Sequence, residues 1–248
     1  IYEPRRLERT APALLYIHGG GWVIGDLDTH DGPCSRLAER GECVVLSLEY
    51  RLAPEHKFPA AVDDALAAFR WLAEHASAMD LDPRRLAVAG DSAGGNLSTV
   101  ICQTATRERW PIRPCFQLLL YPGLDFRRGH ASHRDFADGY LLTGATISWF
   151  MHHYLRSPDD IHDIRVSPLL APDLTGLPPA YISTAGFDPL RDEAHEYADR
   201  LRAADVPVEL AQNPSLVHGF IGLVDAIPAA AAALDHAALA LHRALHRQ

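Results

Sequence analysis

The chain has 248 residues, 48% of them hydrophobic and 22% charged, an ordinary globular composition with enough length to bury the core of one large domain. Its formal net charge of −9 at pH 7 argues against nucleic acid and against anionic lipid, both of which demand basic patches. No apolar run approaches the ~18 residues needed to cross a bilayer, so stable membrane insertion is not expected.

Short apolar runs alternate with helical patterns along the chain. The first strand is expected at Leu14–Ile17 and the next at Cys43–Leu48. After Pro59, Val62, Ala65, Leu66, Phe69 and Leu72 recur at helical spacing. A third strand is read at Arg85–Ala89, and directly behind it Leu97, Val100, Ile101, Thr104 and Ala105 outline a helix. A fourth strand falls at Cys115–Leu120 and a fifth at Ala180–Thr184. Leu190, Ala194, Tyr197 and Leu201 mark another helix, Val206–Leu210 a last strand, and Ala229 to His246 a terminal helix that absorbs the alanine run. Several strands are apolar on both faces, as the central strands of a covered parallel sheet must be. The expected fold class is therefore α/β, a mostly parallel central sheet flanked by helices, with residues 1–248 forming one domain.

One connection is too long for a simple crossover. Residues 122–179 contain an amphipathic stripe of Ile147, Phe150, Met151 and Tyr154, and they read as an insertion over the carboxyl edge of the sheet, where ligands bind in open α/β folds. The edge position of Val206–Leu210 leaves a homodimer open. Cys34, Cys43, Cys102 and Cys115 have no metal-ligand spacing and read as reduced thiols in or near the core. That suits a cytoplasmic location, and no secretory leader is visible. The chain starts at Ile1 without an initiator Met, so a fragment or a processed product is expected.

The chemistry concentrates at four places. Gly90-Asp91-Ser92-Ala93-Gly94 lies between a strand and a helix. A tight turn there exposes a serine, small residues allow close packing, and the helix N-terminus favours developing negative charge, so Ser92 is the candidate nucleophile. His18-Gly19-Gly20-Gly21-Trp22 follows the first strand, and its glycines leave backbone N–H groups free for an oxyanion. Gly20 and Gly21 are the candidate donors, with the Ala93 amide as a third; His18 is read as a brace for this loop. A phosphate-binding turn is disfavoured because no Gly-Lys-Ser/Thr follows.

A serine also needs a base and an acid that orients it. Asp188 follows the fifth strand on the same sheet edge, whereas Asp192 and Glu193 fall inside a helix and read as solvated charges. Among His195, His218, His236, His242 and His246, only His218 lies in the loop after the last strand and so returns to that edge. Asp63-Asp64 and His152-His153 belong to no ligand set of recognisable spacing; no metal is assigned and no cofactor is expected. Tyr50-Arg51-Leu52-Ala53-Pro54-Glu55, followed by Phe58-Pro59, reads as a structural loop entering a helix.

Together these residues resemble the hormone-sensitive-lipase-like family of α/β-hydrolases, in particular its bacterial family IV esterases with a Gly-Asp-Ser-Ala-Gly elbow. Ser167-Pro168-Leu169-Leu170, Asp188-Pro189-Leu190-Arg191-Asp192-Glu193 and His218-Gly219-Phe220 extend the match along the chain. The resemblance implies an α/β-hydrolase fold and a Ser92, Asp188 and His218 triad with the oxyanion on Gly20, Gly21 and Ala93. It further implies cofactor-free hydrolysis of short- to medium-chain acyl esters, with a small-molecule ester as partner. Amide, carbamate or lactone hydrolysis on the same triad remains an alternative, as does a non-catalytic ligand-binding relative. Family members carry further cap residues ahead of the segment resembling Ile1-Tyr2-Glu3-Pro4, so the cap is expected to be truncated at its N-terminal side.

Overall fold

Leu14 and Tyr16 project into one hydrophobic core and Leu15 and Ile17 into another, all of them buried, as a strand covered on both sides requires. The computed structural model describes residues 1–7 and 10–246. Among them run strands β1 (Ala11–Ile17), β2 (Val44–Leu48), β3 (Leu81–Asp91), β4 (Phe116–Leu120), β5 (Ala180–Phe187) and β6 (Val208–Val217). They pair in the order β2-β1-β3-β4-β5-β6, every pair parallel. The helices are α1 (Asp31–Gly41), α2 (Ala60–His75), α3 (Ala93–Arg107), α4 (Ser132–Asp135), α5 (Gly144–Tyr154), α6 (Arg191–Ala203) and α7 (Pro228–His246).

Connectivity divides the helices between the two faces. From β1 the chain steps outward to β2, then crosses back over β1 to β3 and continues through β4 and β5 to β6. Right-handed crossovers in opposite directions place their helices on opposite sides. Accordingly α1 and α7 cover one face through Leu37, Leu234 and Leu241, while α2, α3 and α6 cover the other through Phe69, Leu97 and Tyr197.

The structure shifts several boundaries and adds helices α1 and α4. β3 starts at Leu81 and β6 continues to Val217, beyond the expected end at Leu210. Gln212, Asn213 and Pro214 hide that continuation in the sequence, yet Asn213 still pairs with Ala185. Cys43 and Cys115 lie just outside their strands; all four cysteines are free, three of them buried and Cys115 partly so. Helix α1 carries few large apolar residues and opens on Gly32-Pro33, which left no readable periodicity. Among the described residues, no helix is long and apolar enough to cross a membrane.

Residues 122–179 leave the end of β4 and return at β5, carrying α4 and α5. Thr143 caps α5 by accepting the Thr146 amide at 3.1 Å. The segment is tied to α3 from below. Asn96 Nδ2 donates to the Gly123 and Val166 carbonyls at 2.9 and 2.8 Å, and Gln103 Nε2 to that of Pro168 at 2.9 Å.

Of the glycines, Gly94, where α3 begins, is the most tightly enclosed. A Cβ on Gly94 would sit 1.8 Å from the Ile17 carbonyl oxygen, so the end of β1 and the first turn of α3 touch backbone to backbone. Gly94→Ala must push them apart and is expected to cost about 3 kcal/mol or more, read as a lower urea midpoint at unchanged m-value.

Candidate active site

The sheet order reverses between β1 and β3, and in a parallel sheet such a switch point opens a crevice at the carboxyl ends of the strands. The glycine loop leaves β1 on one side of it and Ser92 leaves β3 on the other. Asp188 follows β5 and His218 follows β6, so all the candidates converge on one edge.

Ser92 has φ 54° and ψ −114°, a left-handed conformation that a side chain rarely adopts. Its neighbours impose it: the Ser92 amide donates to the Leu120 carbonyl at 2.9 Å, and its own carbonyl accepts from Asn96 and Gly123 at 3.1 and 3.2 Å. The Ser92 hydroxyl lies 2.9 Å from His218 Nε2, and His218 Nδ1 lies 2.8 Å from Asp188 Oδ2. An ionised carboxylate only accepts, so the bond to Asp188 fixes the imidazole proton on Nδ1 and leaves Nε2 to accept from the serine. Asp188 is fully buried, and its second oxygen takes the Leu190 amide at 2.8 Å. The Tyr121 ring packs 4.7 Å from the imidazole, centroid to centroid.

Gly20 and Gly21 both have positive φ, 108° and 59°. At Gly21 a Cβ would strike the Phe150 ring at 2.2 Å, so a side chain there is excluded by space as well as by backbone. The loop is braced by His18, which is buried, stacks on Tyr50 at 4.3 Å and donates from Nδ1 to the Gly19 carbonyl at 2.7 Å. Burial holds the His18 ring below its ordinary range and so favours the neutral form.

A second carboxylate lies beside the nucleophile, and sequence reasoning gave it no role. Asp91 accepts from the Tyr16 hydroxyl at 2.8 Å and from the Gly19 amide at 2.9 Å, and its carboxylate is 3.2 Å from His30 Nε2. Burial alone would raise its carboxyl; the His30 ring and these donors outweigh that and hold it below the usual carboxylate range. Burial would likewise lower His30, but its bond to Asp91 prevails and raises it. Asp91 thus joins the turn at Ser92 to the glycine loop through one buried carboxylate.

Above Ser92 lies a cavity of about 340 Å³ with Gly20, Gly21, Ala93 and His218 at its floor. Its walls are apolar, from Phe126, Leu142, Ile147, Phe150, Met151 and Leu190. Helix α5 supplies much of this wall and is firmly held. Tyr154 stacks on Trp22 of the glycine loop at 4.2 Å and 5°, and Lys57 Nζ donates to the His152 and Leu155 carbonyls at 3.2 and 2.8 Å. Tyr50 to Pro59 does form the expected structural loop into α2, with Arg51 held to Asp64 by an ion pair at 2.7 Å.

The rival residues fall elsewhere. His195 lies on α6 against Thr184, 3.2 Å away, and His236 pairs with Glu209 at 3.1 Å. Glu193 corrects the sequence expectation, because it is fully buried and no solvated charge. It accepts from the Leu124 amide and meets His133 Nε2 at 2.9 Å, so it ties α6 to residues 122–179. Burial pushes its carboxyl up, and the bonds from His133 and Leu124 pull it partly back. Its place at helical spacing on α6, one turn before the buried Tyr197, was the readable signal of an inward face.

A strained serine between strand and helix, bonded to an imidazole and a buried carboxylate at one edge of a parallel sheet, defines the class of α/β hydrolases. The sequence profile of the alpha/beta hydrolase fold matches residues 14–222, and the chain belongs to that family. It is 50% identical over 241 residues to the carboxylic ester hydrolase LipN of Mycobacterium tuberculosis, an alignment that covers 95% of this chain and 64% of LipN. It is 44% identical over 249 residues to the carboxylesterase NlhH of the same organism, covering 99% of this chain and 78% of NlhH. Among solved structures it resembles EstE1, a thermophilic carboxylesterase cloned from a metagenomic library. The TM-score is 0.92 and the identity 41%, over 98% of this chain and 83% of EstE1.

The Asp91–His30 pair carries a definite pH signature. A raised His30 contributes stability below its unfolded value of ~6.5 and loses it as pH rises through the folded value. A depressed Asp91 contributes above ~3.9 and loses it as pH falls through the folded value. Both operate together between about pH 4 and 6.5. Asp91→Asn is therefore expected to lose about 1–3 kcal/mol in urea unfolding at pH 6 and distinctly less at pH 9. An equal loss at both would show that His30 is not the charged partner.

Proposed function

We propose that this chain carries the catalytic domain of a serine carboxylesterase acting on short- to medium-chain acyl esters. The observation that carries the reading is the continuous hydrogen-bonded series Asp188–His218–Ser92 at the floor of an apolar cavity. The names of LipN and NlhH support the reaction class. In this reading His218 Nε2 takes the Ser92 proton as the serine oxygen attacks the ester carbonyl. The oxyanion is received by the Gly20, Gly21 and Ala93 amides, which among the described residues have no hydrogen-bond partner. His218 then protonates the departing alcohol, water attacks the acyl-enzyme with His218 again as base, and Asp188 holds the ring throughout.

The cavity supports the substrate class. Its volume lies near the lower end of the ~300–1,000 Å³ usual for small-ligand sites, and its described lining contains no Lys or Arg to receive a carboxylate or phosphate. An uncharged acyl chain fits these walls.

Ser92→Ala should remove p-nitrophenyl butyrate hydrolysis by a factor of about 10⁴ or more, and Asp188→Asn should cost about 10⁴ in kcat with the fold intact by circular dichroism. Labelling by a fluorophosphonate should be lost in Ser92→Ala. Turnover like that of the parent chain would sink the assignment. For acyl length, kcat/KM for the butyrate ester should exceed that for the palmitate ester at least about tenfold, since each mismatched methylene is worth up to ~1 kcal/mol. Equal values would count against a closed acyl pocket.

A further inference from the structure

The opposite edge of the sheet holds a second cluster of ligand-type side chains, unrelated to Ser92. Glu42 caps the C-terminus of α1 just before β2 begins, whereas the candidate catalytic residues follow strand ends. His242 and His246 lie one turn apart in the last turns of α7, which packs on α1. One ligand atom from each of the three residues lies within 4.8 Å of the others. The two imidazoles are stacked, centroids 4.4 Å apart. Independently, His242 Nδ1 and His246 Nε2 are both shielded from solvent without a hydrogen-bond partner among the described residues, an arrangement that demands an acceptor, a donor or a metal.

We propose that Glu42, His242 and His246 form a binding site for one divalent transition-metal ion of the zinc class. Two imidazoles at i and i+4 with one carboxylate make a nitrogen–oxygen set that suits zinc, cobalt(II) or nickel(II) and does not suit calcium or magnesium, which take oxygen cages. Three protein ligands leave a fourth tetrahedral position for water. The C-termini of α1 and α7 converge here, and both helix dipoles favour a cation. The nearby cations are already engaged, Arg243 with Glu209 and Arg40 with Asp235, each at 2.8 Å. Neighbouring Cys43 is not part of the cluster, since its side chain is buried in the apolar core. The ion would pin the end of α7 to the end of α1, a structural clasp remote from ester cleavage.

The experiment is a titration of the chelator-treated chain with cobalt(II), followed by visible ligand-field absorption and then by displacement with zinc. One equivalent of tetrahedral cobalt is expected, and zinc at a hundredfold excess over its Kd should raise Tm by roughly 5 °C or more. His242→Gln and His246→Gln should each abolish the absorption and the zinc-dependent shift while leaving p-nitrophenyl butyrate hydrolysis and the metal-free Tm close to those of the parent chain. If either histidine variant folds poorly, Glu42→Gln at its exposed position must still weaken cobalt binding at least tenfold. The proposal is overturned if the parent chain shows no tetrahedral cobalt, if it gains no Tm from zinc, or if the variants keep one full equivalent.

Discussion

The contact between the end of β1 and the first turn of α3 governs the whole carboxyl edge. With no side chain on Gly94, the Ile17 carbonyl comes against the helix backbone. That approach fixes the distance between the glycine loop leaving β1 and the turn that presents Ser92. Asp91 then bridges the gap by holding the Gly19 amide. The strained backbone at Ser92 is sustained because its N–H and carbonyl are both bonded to neighbouring segments. A floppy turn could not hold a hydroxyl 2.9 Å from an imidazole.

Buried polar groups carry the remaining alignment. Asp188 has both oxygens occupied, one by His218 and one by the Leu190 amide. Glu193, in the first turn of α6, reaches the other way to Leu124 and His133. Asn96 extends from α3 to Gly123 and Val166. Each is a polar side chain bonded to main chain or to a partner side chain, which is how irregular segments are held in register when they lack strand pairing. The cavity walls can therefore be apolar, because the segments behind them are held by polar contacts.

Much of this arrangement could be read from the residues. Apolar strands give a local signal, and chain order alone brought Ser92, Asp188 and His218 to one edge. Small residues around Ser92 and in the glycine loop are visible because their spacing is unusual. Other features left no local trace. β6 is half polar beyond Leu210, since as the edge strand it has one face turned partly to water. Helix α1 hides behind Gly32 and Pro33. The role of Asp91 depends on Tyr16, Gly19 and His30, which are distant in sequence and meet only in the fold. Glu193 differs in that its spacing to Tyr197 marks an inward face, but the partners that make burial of a carboxylate tolerable lie on another segment. Glu42 likewise meets His242 and His246 only in the fold, being distant from both in sequence.

The stack of Trp22 on Tyr154 joins the glycine loop to the helix that walls the cavity. The loop and the cavity wall are therefore mechanically coupled, and the positions of α5 do not all bear on them alike. Changes at Ile147 alter the cavity wall while the stack stays intact, whereas Phe150 closes on Gly21 as well. Changes at Tyr154 move the glycine loop as well. The positions of α5 thus divide by contact and not by face: Ile147 borders the cavity, while Phe150 and Tyr154 each reach the glycine loop as well.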